Sequence, residues 1–208
     1  MQTKCRKNGF VDGVNTAFYK VNKRKILHIV LCVAIALVVL LPYAGAIFLY
    51  KKYSSEFARV KNARFIIADK SAMTLTLYDY HGDTVLQFPM ACGKAFGDKQ
   101  KQGDMRTPEG VFRVESVEDA SAWTHDFGDG KGEVDGAYGP LFIRLQCPNH
   151  KGIGIHGTHL PQSIGTRATE GCIRLNNKDL LQLSKYVHAG MVVAVLPSKD
   201  DVLEKIEL

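Results

Sequence analysis

Residues 153–175 read IGIHGTHLPQSIGTRATEGCIRL, and this stretch decides the reading of the chain. It sets His156 and Cys172 sixteen positions apart, each beside a glycine, as His156-Gly157 and Gly171-Cys172. A polar loop with Pro161 and two small-residue turns lies between them. A thiol is a useful nucleophile only as thiolate, and a nearby imidazole makes that form accessible near neutral pH. The glycines let backbone N–H groups approach a reacting carbonyl, as an oxyanion hole requires. The stretch therefore reads as a cysteine–histidine acyl-transfer site.

The segments around it are strand-rich. Ala63–Ala68 is apolar, and Leu75 and Leu77 alternate with Thr74, Thr76 and Tyr78. Tyr80-His81-Gly82-Asp83 reads as a turn, and Thr84–Met90 resumes a strand. Residues 93–109 and 118–139 are rich in glycine and charge and read as long loops. Val111–Val117, Leu141–Leu145, Gly152–His156 and Met191–Leu196 read as further strands. One helix follows Cys172, with Asn176 or Asn177 as cap, Leu180, Leu183 and Val187 at helical spacing, and Gly190 at its stop. Many short strands, long loops and one helix predict a mainly β sandwich or barrel-like domain rather than a βαβ repeat.

Upstream lies Ile26–Tyr50, ILHIVLCVAIALVVLLPYAGAIFLY, with no formally charged residue. About 20 apolar residues in a helix span a bilayer. The 208 residues carry 27 Lys and Arg against 21 Asp and Glu, and seven of the bases but one acid fall in residues 1–25. The remainder is balanced, which argues against a nucleic-acid partner. By the positive-inside rule the basic tail is cytoplasmic and the rest lies beyond the membrane. Ala44-Gly45-Ala46 offers the alternative of a cleaved signal peptide; the long tail and apolar run favour an uncleaved anchor. The expected organisation is a tail at 1–25, an anchor at 26–50, a linker or helical stalk at 51–62, a domain at 63–197 and a C-terminal tail at 198–208. Three of the five cysteines, Cys92, Cys147 and Cys172, lie in the exported part. Cys92 and Cys147 are either a disulfide that spares Cys172 or two buried thiols.

The motif residues resemble the L,D-transpeptidase catalytic domain, the YkuD-type family. Its signature stands here as His156-Gly157-Thr158 and Thr169-Glu170-Gly171-Cys172-Ile173-Arg174. Arg106-Thr107-Pro108-Glu109-Gly110-Val111-Phe112 resembles its TP-x-G-x-F segment, Tyr138-Gly139-Pro140 its next loop, and residues 65–94 its opening strands. The resemblance covers about residues 63–197. It implies a β-sandwich that remodels peptidoglycan with no metal or organic cofactor. Such an enzyme cleaves the bond between the third, L-configured residue of a stem tetrapeptide and its terminal D-Ala, leaving a thioester on cysteine. An amine of another stem then gives a crosslink, an amine on an envelope protein gives anchoring, and water gives carboxypeptidase activity.

The resemblance makes Cys172 the nucleophile and His156 the base. It gives the Gly157 carbonyl the task of fixing the imidazole, and the N–H groups of Gly171 and Cys172 that of the oxyanion hole. Arg174 either binds a substrate carboxylate or braces the loop, and Thr169 hydrogen-bonds within it. Tyr138 and Trp123 either line the stem-peptide groove or pack in the core. Two positions depart from the family. Glu170 stands where most relatives carry histidine; it either raises the thiol pKa by like charge or pairs with Arg167 or Arg174. His159 raises a zinc reading with His156 and Cys172, but no fourth ligand is evident. A membrane-tethered muropeptide-binding module that has lost catalysis through Glu170 is the alternative from another class. A papain-like protease would carry its histidine downstream of its cysteine, not upstream.

Overall fold

A computed structural model gives the fold of residues 23–207, which divide after Glu56 into two compact units. Most of the basic tail, residues 1–22, lies outside the described residues. The first helix, α1, runs Lys23–Lys61, so the segment at 51–62 is helical almost to its end. Among the described residues it is one helix long and apolar enough to cross a membrane. From Ile26 to Tyr53 its large apolar side chains are exposed all round, as expected where no polar face exists to choose a partner.

The second unit is mainly β. A meander of β1 (Arg64–Asp69), β2 (Thr74–Asp79) and β3 (Thr84–Pro89) opens it, followed by the short β4 (Cys92–Gly93) and the long β5 (Gly110–Asp119). Next come a hairpin, β6 (Thr124–Asp126) and β7 (Glu133–Asp135), then β8 (Leu141–Gln146) and β9 (Gly154–His156). The loop after β9 holds one 3-10 turn, Pro161–Ser163, and the short strands β10 (Arg167–Thr169) and β11 (Ile173–Arg174). Helix α2 (Asn177–Ser184), β12 (Val192–Leu196) and α3 (Lys199–Glu207) complete it.

Eight strands form one curled sheet in the order β11-β9-β8-β5-β12-β1-β2-β3, with β4–β10 and β6–β7 as two small pairs. Most neighbours are antiparallel; β1 with β12, β9 with β11 and β4 with β10 are parallel. Alternating apolar positions supply the core. Ile66 and Ala68 of β1, Phe112 and Val114 of β5 and Val193 and Val195 of β12 are buried. Leu180 and Leu183, one helical turn apart on α2, close it from outside the sheet.

Three expectations change. The loop at 118–139 contains the β6–β7 hairpin, whose three-residue strands are too short to show a period among glycines and aspartates. The helix after Cys172 stops at Ser184; Gly190, at φ +86°, serves the turn into β12 instead. The closing segment at 198–208 is helix α3 rather than a tail. Ser198 Oγ accepts from the Asp201 N–H at 3.2 Å, and Asp201 Oδ2 accepts from the Ser198 N–H at 2.7 Å, a reciprocal capping box.

Asp201 does more than cap. Its carboxylate is fully buried and holds Arg167 Nη2 at 2.8 Å and Lys70 Nζ at 3.2 Å. It also accepts the Gly97 N–H at 2.7 Å. Lys70, with its side chain fully buried, reaches Glu109 at 2.8 Å, and the Arg167 guanidinium lies 4.1 Å over the Phe96 ring. Burial alone would raise the Asp201 pKa, but the Ser198 and Gly97 donors and Lys70 outweigh it and hold the group well below the usual carboxylate range. The network ties α3, the end of β1, the 94–109 loop and β10 into one block. Removing one member of a buried ion pair strands the others, at about 3–5 kcal/mol. Asp201→Ala should therefore melt well below wild type in thermal unfolding at pH 7. Because the folded-state pKa is depressed, this stabilisation is present above the unfolded value and lost as pH falls. The gap between the two proteins should narrow below about pH 5.

Candidate active site

The β9–β11 pair builds the site. Parallel strands need a crossover of a dozen residues or more, and here the loop after His156 supplies it. The register sets Ile173 against Ile155 and Arg174 against His156. Extending it backward by one residue brings Cys172 alongside Gly154. The thiol donates to the Gly152 carbonyl at 3.3 Å and receives the Gly154 N–H. Cys172 is half-buried, whereas His156 is 3% exposed. Both line one groove of about 320 Å³ with Lys99, His125, Tyr138, Glu170 and Arg174.

His156 is held from three directions. Its Nδ1 lies 2.7 Å from the Gly157 carbonyl, which can only accept, so Nδ1 carries the hydrogen and Nε2 keeps its lone pair. Phe142 stacks on the ring at 5.7 Å and Tyr138 meets it edge-on at 5.0 Å. The backbone after it is pinned by Asn177, whose Oδ1 accepts the Thr158 N–H at 2.7 Å while Nδ2 donates to the Thr158 carbonyl at 3.0 Å. A Cβ on Gly157 would collide with that Asn177 oxygen, which accounts for the glycine of the HGT sequence. Asn176 stands at the helix cap without a capping side-chain bond.

The turn before Cys172 is equally constrained. Gly171 has φ +136°, and a Cβ there would sit 2.7 Å from the Arg106 carbonyl. Thr169 Oγ1 donates to the Cys172 carbonyl at 2.6 Å and accepts the Gly171 N–H at 3.2 Å. The Gly171 N–H, assigned by resemblance to an oxyanion hole, is thus engaged inside the loop in this conformation. Arg174 is 4% exposed; Nη1 donates to Ser163 Oγ at 3.0 Å, and its buried Nε has no hydrogen-bond partner.

Glu170 pairs with neither arginine. Arg167 is taken by Asp201 and Arg174 by Ser163, and Glu170 Oε2 lies 3.1 Å from His125 Nε2. His125 Nδ1 in turn lies 3.1 Å from Tyr138 Oη. Trp123 packs on Tyr138 and Phe142 at 5.8 and 5.5 Å, behind the groove rather than in it. The His159 ring lies against Phe127 at 5.4 Å. Cys92 and Cys147 are buried free thiols.

Sequence reasoning missed His125, Lys99 and Asn177 as parts of the site. Lys99 is buried, pairs with Asp104 at 2.7 Å and points its ammonium toward Gly171. Lys99 and His125 sit in segments that look like solvated loops. Only the placement of those loops over the β9–β11 edge brings them to the thiol.

Burial dominates the electrostatics. It pushes the Cys172 thiol up to about 11; the Gly154 N–H, Lys99 and Arg174 pull it down, and Glu170 adds a smaller upward push. Burial also pulls His156 down to about 3 against the Gly157 bond, with Arg174 and His125 adding to the decrease. The resting pair is therefore thiol and neutral imidazole, suited to moving a proton during attack rather than storing a thiolate.

A family model described as the L,D-transpeptidase catalytic domain, YkuD, matches residues 63–195. The putative L,D-transpeptidase YkuD of Bacillus subtilis (strain 168) is 38% identical over 124 residues, 60% of this chain and 60% of that protein. Its namesake in Bacillus licheniformis is 29% identical over 132 residues, 64% and 65% of the two chains. The probable L,D-transpeptidase ErfK/SrfK of Escherichia coli (strain K12) is 29% identical over 142 residues, 63% and 43%. The match thus spans less than two thirds of each of these relatives. In fold the chain is similar to the helical cell shape determining protein Pgp2 from Campylobacter jejuni, with a TM-score of 0.50 and 24% identity over 66% of this chain and 48% of that one.

The raised thiol pKa has a direct readout. Because the thiolate fraction grows about tenfold per pH unit below the pKa, alkylation of Cys172, localised by mass spectrometry, should keep rising through pH 9 without a plateau near neutrality. A plateau at pH 7 would show that the thiolate is already formed at rest.

Proposed function

This chain belongs to the YkuD family of L,D-transpeptidase catalytic domains, and on that footing we propose that it is a membrane-anchored peptidoglycan L,D-transpeptidase. It acts at the bond between the third residue and the terminal D-Ala of a stem tetrapeptide, through a thioester on Cys172. The observation that carries the reading is the pairing of β9 with β11, which delivers His156 and Cys172 to one groove.

Cys172 Sγ attacks the carbonyl of the third residue as His156 Nε2 takes the thiol proton. The Gly157 carbonyl fixes the tautomer that leaves Nε2 free. His156 then hands the proton to the departing D-Ala amine, and the thioester remains. The low basicity of the buried imidazole favours this hand-over, since an imidazolium there is a strong acid. The tetrahedral oxyanion is held by backbone N–H groups at Gly171-Cys172, for which the Gly171 N–H must turn from Thr169. The place of Arg174 in the groove lining supports binding of a stem carboxylate. The acyl acceptor is an amine of a second stem, an amine on an envelope protein, or water.

The α1 helix supports a single-pass anchor in the cytoplasmic membrane, with the N-terminus inside and the catalytic domain on the extracytoplasmic, periplasmic face. The catalytically impaired muropeptide-binding reading rested on Glu170 facing the thiol. Its carboxylate is engaged by His125, and its upward push on the thiol is the smallest of the influences there.

Incubating the detergent-solubilised chain with tetrapeptide muropeptides should release D-Ala, and Cys172→Ala should reduce that release by at least a thousandfold. A variant that still released D-Ala at the wild-type rate would refute the assignment. A carbapenem should add its mass at Cys172; an adduct on another cysteine would count against it.

A further inference from the structure

Glu170, His125 and Tyr138 form a linear array that acylation does not use. Glu170 is on the turn before the nucleophile and His125 on β6, yet they meet at 3.1 Å beside the thiol's groove. A carboxylate can only accept, so His125 Nε2 carries the hydrogen and Nδ1 is left to accept from the Tyr138 hydroxyl at 3.1 Å. The order is carboxylate, imidazole, hydroxyl, that of a catalytic triad with tyrosine at the reactive end. The three side chains are half-buried and reach the groove from three separate segments.

The proton count of acyl transfer gives this array a task. Acylation moves one proton, from sulfur to the leaving amine, and His156 carries it. Aminolysis of the thioester is different. An alkyl amine reaches the site as R–NH3+ near neutral pH, since its pKa is about 10. The amide product keeps one N–H, so two protons must leave the nitrogen. His156 takes one and returns it to the departing sulfur. The cysteine–histidine pair has no acceptor for the other. Water as acceptor does not meet this demand, because its second proton leaves only from the finished carboxylic acid.

We infer that Glu170, His125 and Tyr138 are the subsite for a cationic amine as acyl acceptor and take its first proton. The inference rests on the acyl-transfer reading above. One N–H bond of the ammonium breaks and its proton passes to Tyr138 Oη, while the tyrosine proton passes to His125 Nδ1. Glu170 balances the charge of the imidazolium. The freed lone pair forms the N–C bond, the C–S bond breaks, and the second proton travels through His156 to sulfur. His125 then releases its proton to solvent. The other charged or titratable groups in the groove are Cys172, His156, Arg174, Lys151 and Lys99, the last paired with Asp104.

The test uses the full chain in detergent with a disaccharide-tetrapeptide as both donor and acceptor. D-Ala, crosslinked dimer and hydrolysed tripeptide are measured from pH 6 to 10. In Glu170→Gln and His125→Gln the dimer-to-tripeptide ratio at pH 7 should fall at least tenfold. The ratio should recover toward pH 10, where the amine arrives neutral, and Glu170→Asp should restore it in part at pH 7. A merely structural role would lower both products together and would not be rescued by alkali. Wild-type ratios in the variants, or a fall without recovery, overturn the inference. Wild type yielding tripeptide alone overturns it too while leaving acyl transfer standing, and wild type releasing no D-Ala overturns both.

Discussion

Two backbone registers, Ile155 against Ile173 and His156 against Arg174, hold the catalytic geometry together. The pairing is short, and parallel pairs are slightly weaker per residue than antiparallel ones. It is stiffened from outside. Ala91 exchanges both backbone bonds with Arg174, at 2.8 and 2.9 Å, so β11 is gripped on its far side as well. Asn177 secures the chain leaving β9, and Thr169 secures the chain entering β11. The buried carboxylate of Asp201 secures β10 through Arg167. The middle of the loop is held as well, by Arg174 on Ser163 and by the Gly165 N–H on the Met90 carbonyl.

The same arrangement divides the polar groups by task. Groups that fix geometry are fully engaged: Asp201, Lys70 and Thr169, which are buried, and Asn177's amide. Groups that line the groove keep spare capacity: the lone pair on His156 Nε2 and the half-buried His125–Glu170 contact. Trp123, Tyr138 and Phe142 pack together as an aromatic wall beside His156. It backs the imidazole with surface that offers no competing hydrogen bond, so tautomer choice falls to the Gly157 carbonyl.

The sequence carried this division unevenly. The meander from Arg64 to Pro89 and the strand around Leu141 were legible because alternation or apolar runs persist for six residues there. The HGT and EGC segments were legible because glycines beside reactive residues have few other uses. The β6–β7 hairpin was not, since three residues per strand leave no period to detect. Glu170 stood out as unusual, but its partner lies 45 residues away on that hairpin. A pairing of that separation is settled by the sheet, not by any local pattern. The Ser198–Asp201 capping box, by contrast, has a sequence signature, S-x-x-D ahead of an apolar residue, and could have been read.

Holding the half-buried nucleophile as a thiol rather than a thiolate has a consequence for its survival. Peroxide and disulfide exchange attack the thiolate, so susceptibility to oxidation follows thiolate character and exposure. Beyond the membrane, where the proposed topology places this domain, no cytosolic thiol buffer repairs a sulfenic acid. A cysteine kept protonated until a substrate arrives is chemically quiet for most of its working life. The low resting reactivity of Cys172 is in that sense a form of durability. Cys92 and Cys147, buried with raised pKa values of their own, share the same protection.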